Sequence, residues 1–199
     1  MGKIYMIIGK SSSGKDHIYS SLLENESTCL KPLVLYTTRP KRAGEEDGRE
    51  YYFTDEEHLK ELREQGRIIE ERAYDTVFGV WHYFTADEGQ IDLGKEDYLT
   101  IGTPQSYGKM KAYFGEENVC PLYIEVEDEI RLLRAIAREK EQEKPSYKEL
   151  CRRFLADEED FKEEMLLQAG IVRRFQNNKR LEECIDEIKK FVEENRKHC

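Results

Sequence analysis

The sequence has no excess of positive charge, and this absence narrows the range of partners. It contains 32 Lys and Arg residues against 42 Asp and Glu residues, so the formal net charge at pH 7 is −10. Proteins bind nucleic acid polymers mainly by neutralising phosphates with a positive surface. We therefore do not expect a nucleic acid polymer as a partner, and we look for a small ligand instead.

Apolar residues are also scarce, and the mean hydropathy is −0.80. Charged residues make up 37% of the 199 positions. Leu, Ile, Val and Phe nevertheless account for 46 residues, which is above the fraction of roughly 20% below which a charged chain stays disordered. The length fits one folded domain that carries insertions, with an unusually charged surface.

The sequence lacks long apolar runs and metal-type cysteine spacing. No run approaches the ~20 residues that span a bilayer, and the N-terminus lacks the apolar stretch of a secretory signal. The five cysteines have no Cys-x-x-Cys spacing and no His at metal-ligand intervals, which argues against a disulfide framework or a zinc site. We expect a soluble cytoplasmic protein with no membrane partner.

Short apolar runs alternate with stretches of helical periodicity along the chain. The runs predict strands at residues 3–8, 33–36, 51–53, 67–73, 77–84, 98–101, 119–126 and 170–172. The periodic stretches predict helices at 15–24, 103–113 and 128–143, and further helices that start at capping boxes on Thr54 and Ser146 or at a cap on Asn178. The alternation predicts an α/β fold with a mostly parallel five-stranded sheet flanked by helices, whose ligands bind at the carboxyl ends of the strands.

A glycine-rich loop lies between the first predicted strand and the first predicted helix. It fits the phosphate-loop pattern G-x-x-x-x-G-K, and its residues are Gly9, Lys10, Ser11, Ser12, Ser13, Gly14, Lys15 and Asp16. Such a loop wraps a phosphate with backbone N–H groups, and some of its residues need a positive φ. Lys15 supplies a charge for the β- and γ-phosphates of ATP, and the helix adds its N-terminal dipole. This context favours an ATP-binding loop of the P-loop NTPase type over a simple glycine-rich turn.

Asp16 stands where the phosphate-loop pattern has Ser or Thr, whose hydroxyl is a ligand of Mg²⁺. A carboxylate is a charged oxygen ligand that could hold this ion directly or through water. It would equally well complement the positive N-terminal end of the helix dipole. Both roles stay open, and Asp16 is the candidate metal residue.

The polar segment 37–48 keeps arginines within an acidic chain. Arg39 and Arg42 lie three residues apart and can clamp one phosphate from two sides, while Tyr51 can add a hydroxyl donor. Residues 36–53 closely resemble the monophosphate-binding signature of guanylate kinases. The matching positions are Thr37, Thr38, Arg39, Arg42, Gly44, Glu45, Gly48, Tyr51 and Phe53.

The resemblance to guanylate kinases covers nearly the whole chain and implies further site residues. It assigns substrate binding to Arg39, Arg42, Glu45, Tyr51, Glu70 and Phe78. Glu70 would contact the base, because N1–H and the exocyclic amine of guanine are adjacent donors that a carboxylate can accept. Glu71 is adjacent, so a shift of one residue stays open.

Residues 131–138 and 153–156 resemble the lid of the same family. The resemblance, together with the phosphate loop and signature loop, implies a catalytic set of Lys15, Arg39, Arg134, Arg138 and Arg153. Arginines on a lid suit phosphoryl transfer because they stabilise the charge on the transferred group and exclude water. For any one of the lid arginines, the alternative is an i,i+4 ion pair on an exposed helix.

The chain departs from the family pattern around the base. Phe78-Gly79-Val80 replaces Tyr-Gly-Ser/Thr, and Thr100 and Gly102 stand where the family has two carboxylates. Leu35 replaces a serine that precedes the signature. The residues available to compensate are Tyr74, Asp75, Trp81, His82 and Tyr83, with Asp16 as a substitute for the lost magnesium ligand.

The resemblance implies a kinase that transfers a phosphoryl group from ATP to GMP or dGMP with Mg²⁺. Two alternatives stay open: a kinase of the same fold for another monophosphate, and a non-catalytic interaction module. We predict a core of residues 1–36, 85–126 and 158–199, a monophosphate-binding subdomain at 37–84 with mixed strands and helices, and a helical lid at 127–157. The sequence is compatible with a monomer or a homodimer.

Overall fold

The computed structural model of the chain describes residues 2–42, 44–76 and 79–196. Phe78, a predicted substrate-binding residue, lies outside the described residues. The elements are β1 (Ile4–Ile8), α1 (Lys15–Glu24), β2 (Leu30–Pro32), β3 (Tyr36–Thr37), β4 (Tyr52–Phe53), α2 (Glu56–Glu64), β5 (Ile68–Thr76), β6 (Gly79–Ala86), β7 (Asp97–Gly102), α3 (Pro104–Phe114), β8 (Val119–Glu125), α4 (Asp128–Lys140), α5 (Tyr147–Asp160), α6 (Glu163–Ala169), β9 (Arg174–Gln176) and α7 (Leu181–Arg196).

Five strands form the first sheet in the order β2-β7-β1-β8-β9, and all of its pairings are parallel. The central strand β1 is buried along its whole length. Ile4, Met6 and Ile8 pack into one apolar cluster with residues of α3 and α6, whereas Tyr5 and Ile7 pack into another with residues of α1 and α7. The predicted sheet with helices on both faces is confirmed.

Four strands form a second, mixed sheet in the order β4-β3-β6-β5. Strands β3 and β4 pair in parallel, and β6 pairs antiparallel with both β3 and β5. Helix α2 packs Leu59 and Leu62 against this sheet in a small core with Tyr36 and Phe84. This arrangement is the mixed strand–helix insertion that the sequence predicts.

The predicted strand at 33–36 is wrong, because the chain passes there from one sheet to the other. The Leu33 N–H still donates to the Leu99 carbonyl in the first sheet at 2.8 Å, but Tyr36 pairs with Tyr52 and Phe84 in the second. Leu33 and Tyr36 are buried in different cores. A short apolar run cannot reveal such a division, since each half satisfies the pattern of a buried strand.

The predicted strand at 170–172 is also wrong. Gly170 ends helix α6 with a φ of 80°, and the Ile171 N–H donates to the Leu166 carbonyl at 2.8 Å. These residues close a helix, a role that suits glycine in the left-handed region. The last strand is β9, which begins at Arg174.

Three predicted helix starts differ from the observed caps. Asp55, not Thr54, caps α2 by accepting from the His58 N–H at 2.9 Å. Ser146 precedes α5, but its side chain makes no capping hydrogen bond. Asn178 accepts from the Glu127 N–H at 2.8 Å, so its side chain serves the start of α4.

In the part of the chain that the structure describes, no helix has both the length and the apolar character required to cross a bilayer.

Candidate active site

A cleft of about 1490 Å³ opens at the carboxyl ends of the first sheet. Its floor includes Gly9 after β1 and Gly102 at the end of β7. The cleft-facing residues of β5 and β6 form one wall, and residues of α5 form another. The cleft lies where open parallel sheets bind their ligands.

The phosphate loop forms the floor with a backbone that only particular residues allow. A Cβ atom at Gly9 would lie 2.8 Å from the Ile124 carbonyl oxygen, and one at Gly14 would lie 2.7 Å from the Asn177 Nδ2 atom. Gly14 has a φ of 90°, and Ser12 has a φ of 62°. Helix α1 begins immediately after Gly14. The backbone is therefore shaped as a phosphate loop requires, with N–H groups and a helix N-terminus at one place.

Lys15 lies at the base of the cleft, where its ammonium group donates to the Lys10 carbonyl at 2.9 Å. Burial lowers the pKa of Lys15, and the carboxylates of Asp16 and Asp157 oppose this shift. Lys15 and Asp16 both line the cleft.

Arg131 forms the centre of an ion-pair network beneath the phosphate loop, a role that sequence reasoning missed. Its side chain is 1% exposed. It donates to the Ser11 carbonyl and to Asp157, both at 3.2 Å, and to Asp128 at 2.6 Å. Asp157 in turn accepts from the Ser11 N–H at 2.8 Å. The signal available in the sequence was the spacing of Arg131, Arg134 and Arg138, which places all three on one helix face.

The three predicted lid arginines occupy three different environments. Arg134 donates to the Asn177 carbonyl at 3.0 Å, and Asn177 donates to the Ser13 carbonyl at 2.9 Å. Arg138 is exposed and reaches the Ser12 hydroxyl at 3.5 Å. Arg153 lies on the cleft wall and donates to Glu149 at 2.9 Å. Hydrogen bonds from Arg152 and Arg153 lower the pKa of Glu149 to about 2.

The signature loop brings its predicted residues together around Arg39. This guanidinium is 3% exposed and donates to both oxygens of Glu45, at 3.0 and 2.7 Å. It also lies over the rings of Tyr51 and Phe53. Hydrogen bonding to Glu45 raises the pKa of Arg39, with smaller contributions that include Tyr83. Arg39 is thus held in place by the loop.

Arg42 and Tyr51 line the cleft beside that loop. The Arg42 side chain is exposed, and its N–H donates to Glu45 at 2.7 Å. Burial raises the pKa of Tyr51, so its hydroxyl stays protonated as a donor at neutral pH. Glu45 therefore contacts the two arginines and organises the loop that carries them.

The two adjacent carboxylates of β5 lie on opposite faces of the second sheet. Glu70 is 2% exposed and accepts from Thr85 at 3.2 Å. Thr85 is its direct cross-strand partner, and the pairs Arg72–Tyr83 and Tyr74–Trp81 continue along the same face, which forms the cleft wall. Glu71 instead binds Arg63 and His82 on the other face. This placement favours Glu70 over Glu71 as the residue of the site.

The departures from the family pattern are visible on the same wall. Val80 pairs with Asp75 and therefore shares the face of Glu71, where it is 48% exposed. Trp81 and Tyr83 line the cleft instead. A Cβ atom at Gly102 would lie 2.6 Å from the Ser106 hydroxyl oxygen and 2.7 Å from the Met6 sulfur. A carboxylate at position 102 would thus require its neighbours to move.

The described residues contain no group of three or more His, Cys, Asp or Glu side chains arranged to hold a metal ion. Asp16 is exposed in the first turn of α1 and lines the cleft. Mg²⁺ commonly binds through one or two carboxylates, water and substrate phosphates. Asp16 fits that mode of binding, whereas an all-protein cage does not fit these residues.

Comparison with known proteins agrees with this geometry. The family model described as guanylate kinase matches residues 1–195. The chain is 39% identical to a guanylate kinase of Aliivibrio fischeri over 100 residues, which cover 46% of each chain. It is 35% identical to a guanylate kinase of Thermotoga maritima over 114 residues, which cover 56% of this chain and 53% of that protein. The chain thus spans about half the length of the curated relatives that it matches.

A crystal structure of guanylate kinase from Anaplasma phagocytophilum shares the fold. The TM-score is 0.60 at 24% sequence identity, and the match covers 96% of this chain and 85% of that chain. The family match, unlike the partial alignments, extends over almost every residue. The chain belongs to the guanylate kinase family.

Proposed function

We propose that this protein is a nucleoside monophosphate kinase that transfers the γ-phosphoryl group of ATP to GMP or dGMP. The observation that carries the proposal is one cleft lined both by Lys15 of the phosphate loop and by Arg42 and Tyr51 of the signature loop. Phosphoryl transfer requires donor and acceptor phosphates in one space, in line and surrounded by positive charge.

At the phosphate-loop end, the N–H groups of the loop and the N-terminus of α1 would bind the ATP phosphates. Lys15 would turn from the Lys10 carbonyl, to which it donates at 2.9 Å, toward these phosphates. The Arg138 guanidinium lies close to the same loop. Arg153, on the opposite wall, would approach the transferred group from α5.

At the signature-loop end, Arg42 and Tyr51 would contact the phosphate of the monophosphate directly. Arg39 would add positive charge from behind, in the orientation that Glu45 imposes. Glu70 would accept hydrogen bonds from N1–H and the 2-amino group of guanine. Cleft-facing aromatic side chains, including Tyr74, Trp81 and Tyr83, would surround the base.

An oxygen of the acceptor phosphate would attack the γ-phosphorus while the bond to the bridging oxygen of ADP breaks. One phosphorus–oxygen bond forms and one breaks, so the products are ADP and GDP and no covalent enzyme intermediate is needed. Lys15, Arg39, Arg134, Arg138 and Arg153 are the proposed catalytic set, acting through positioning and charge stabilisation. Mg²⁺ would neutralise charge on the ATP phosphates, and Asp16 would hold it directly or through water.

The division of the chain follows the same proposal. Residues 37–84 carry most of the second sheet and would close over the monophosphate, and residues 127–157 carry α4 and most of α5 and would act as the lid. The core would comprise 1–36, 85–126 and 158–199. The cytoplasmic location and the state of monomer or homodimer stay predictions.

A coupled assay of ADP release with ATP, Mg²⁺ and each nucleoside monophosphate tests the proposal. We expect turnover with GMP and dGMP and much weaker turnover with AMP, CMP and UMP. Turnover with a different base alone would revise the substrate. No turnover with any of them, with nucleotide binding retained or lost, would overturn the kinase assignment and favour an interaction module.

A second assay tests the metal role of Asp16. The Asp16→Ala variant should need a higher Mg²⁺ concentration for half-maximal activity, because it loses the one charged oxygen that the phosphate loop offers. Asp186→Ala is a control in α7, outside the cleft. An unchanged Mg²⁺ dependence in Asp16→Ala would mean that this carboxylate complements only the helix N-terminus.

A further inference from the structure

Arg72 is a cleft-lining residue that the family resemblance does not assign. It lies on β5 two residues after Glu70, so both side chains share one face of the second sheet. The cross-strand partner of Arg72 is Tyr83, which also lines the cleft. Arg72 therefore lies on the wall that, under the proposed function, receives the base.

The ion pair between Arg72 and Glu70 is incompletely hydrogen-bonded. The Arg72 Nη2 atom donates to Glu70 Oε1 at 3.2 Å, and that oxygen also accepts from Thr85. The Arg72 Nε and Glu70 Oε2 atoms are likewise 3.2 Å apart. Neither of these two buried atoms has a hydrogen-bond partner of suitable geometry in the part of the chain that the structure describes. An acceptor and a donor with unused capacity thus lie side by side.

This pair is complementary to one edge of a 6-oxopurine. N1–H is a donor that a carboxylate accepts, and the neighbouring O6 is an acceptor that a guanidinium can reach. Adenine has an amino group in place of O6 and no hydrogen on N1, so it would present a donor to Arg72 and an acceptor to Glu70. We infer that Arg72 is a specificity-determining residue that reads the 6-oxo group of the purine monophosphate. This inference rests on the proposed function.

Two of the positions at which the chain departs from the family pattern around the base offer no alternative to Arg72. Val80 points to the other face of the sheet, and Gly102 has no side chain. Arg72 also acts on Tyr51, whose burial-raised pKa it partly lowers. A contact of Arg72 with the monophosphate is therefore the competing role, and it predicts a different result.

The test compares kcat/KM for GMP, IMP and AMP in the unaltered protein and in Arg72→Ala. IMP keeps the 6-oxo group and lacks the 2-amino group, so it separates the contribution of the 6-oxo group from that of the 2-amino group. Because one good bidentate contact discriminates by about 1–3 kcal/mol, the GMP-to-AMP ratio should fall by ~5- to 150-fold. The GMP-to-IMP ratio should change by less than about threefold, since both bases share O6.

Each ratio is independent of the fraction of enzyme that is folded, so a loss of stability in a variant does not change the result of the test. Arg72→Lys provides a second variant that keeps the charge beside Glu70 and loses the planar guanidinium, so its GMP-to-AMP ratio should fall by a smaller factor. Arg63→Ala is the matched control, because Arg63 pairs with Glu71 on the opposite face. Its ratios should equal those of the unaltered protein.

The outcomes separate the inference from the proposed function. An unaltered protein that phosphorylates none of these monophosphates overturns the proposed function and the inference with it. An active protein whose ratios stay constant in both Arg72 variants overturns the inference alone. An equal loss for GMP, IMP and AMP assigns Arg72 to the monophosphate and likewise overturns its role at the base.

Discussion

The two ends of the cleft are built in different ways. At the phosphate-loop end, backbone geometry carries the site, and the glycines at 9 and 14 have close neighbours that exclude a side chain. At the end where the base would bind under the proposed function, the wall consists of side chains on two antiparallel strands, where Glu70, Arg72 and Tyr83 share one face. The first end keeps its motif except at Asp16, whereas the second departs from the family at several positions.

This difference shows which residues of the cleft the fold constrains and which residues it allows to vary. A substitution in the phosphate loop changes backbone conformation or meets a neighbouring main chain, so it disturbs the fold itself. A substitution on the cleft face of a strand changes the surface offered to a ligand and leaves the ladder hydrogen bonds in place. Base specificity can therefore change while the machinery for phosphate binding is maintained.

The largest expected effect concerns the ion pairs that Arg131 makes beneath the phosphate loop. Arg131→Ala leaves Asp157, which is 13% exposed, without its buried partner. We expect a loss of about 3–5 kcal/mol in the free energy of unfolding, measured by urea denaturation. Arg180→Ala removes an exposed ion pair with Glu182 and should change this free energy by less than about 0.5 kcal/mol. Equal losses in both variants would show that Arg131 does not organise this end.

The next effect tests catalysis at the same end. Lys15→Ala should reduce kcat by ~100-fold or more, because it removes a positive group that stabilises charge on the transferred phosphoryl group. Lys31→Ala removes an exposed partner of Glu96 and should keep normal turnover. Near-normal turnover in Lys15→Ala would contradict the assignment of this end to phosphate chemistry.

A smaller effect concerns the signature loop, in which Glu45 binds Arg39. Glu45→Gln keeps the shape of the side chain but weakens the charge-assisted bonds that orient Arg39. The KM for GMP should rise by ~10-fold, equivalent to about 1.4 kcal/mol, and the KM for ATP should stay within about twofold. Glu46→Gln, on an exposed partner of Arg49 in the same loop, is the control. Equal changes in both KM values would assign Glu45 to general stability of the cleft.

The smallest expected effect concerns the cap of helix α2, which packs against the second sheet. Asp55→Ala removes the cap of α2 and should lower the free energy of unfolding by about 1 kcal/mol. Thr54→Ala, at the position that the sequence pattern indicates as the cap, should cost less than about 0.5 kcal/mol. Thermal or urea unfolding of both variants measures the difference, and the reverse order would contradict the observed cap.

Much of the fold was predictable because its signals are local. The buried strands β1, β7 and β8 are apolar runs of the expected length, and α1 has the predicted bounds. The errors at 33–36 and 170–172 share one cause. Apolar residues indicate that a segment is buried, but they do not indicate which sheet or helix end its backbone hydrogen bonds belong to.

The candidate site was predictable where neighbouring residues form a motif. It was unpredictable where segments that are distant in the sequence meet. Lys15 and Arg42, which belong to two sequence motifs, both line the cleft. The choice between Glu70 and Glu71 depends on the pairing of β5 with β6, and the sequence left it open. Arg131 was missed as a site residue because its burial depends on Asp128, Asp157 and the phosphate loop together.

By itself, the sequence determined the alternation of strands and helices, the place of the phosphate loop and the loop that carries Arg39 and Arg42. It could do so because period, glycine position and motif spacing are properties of neighbouring residues. The tertiary structure alone decided that the face shared by Glu70 and Arg72 meets the cleft and that Val80 lies on the other face. The face of Val80 depends on hairpin register, and register is set by pairing between strands rather than by the residues of either strand alone.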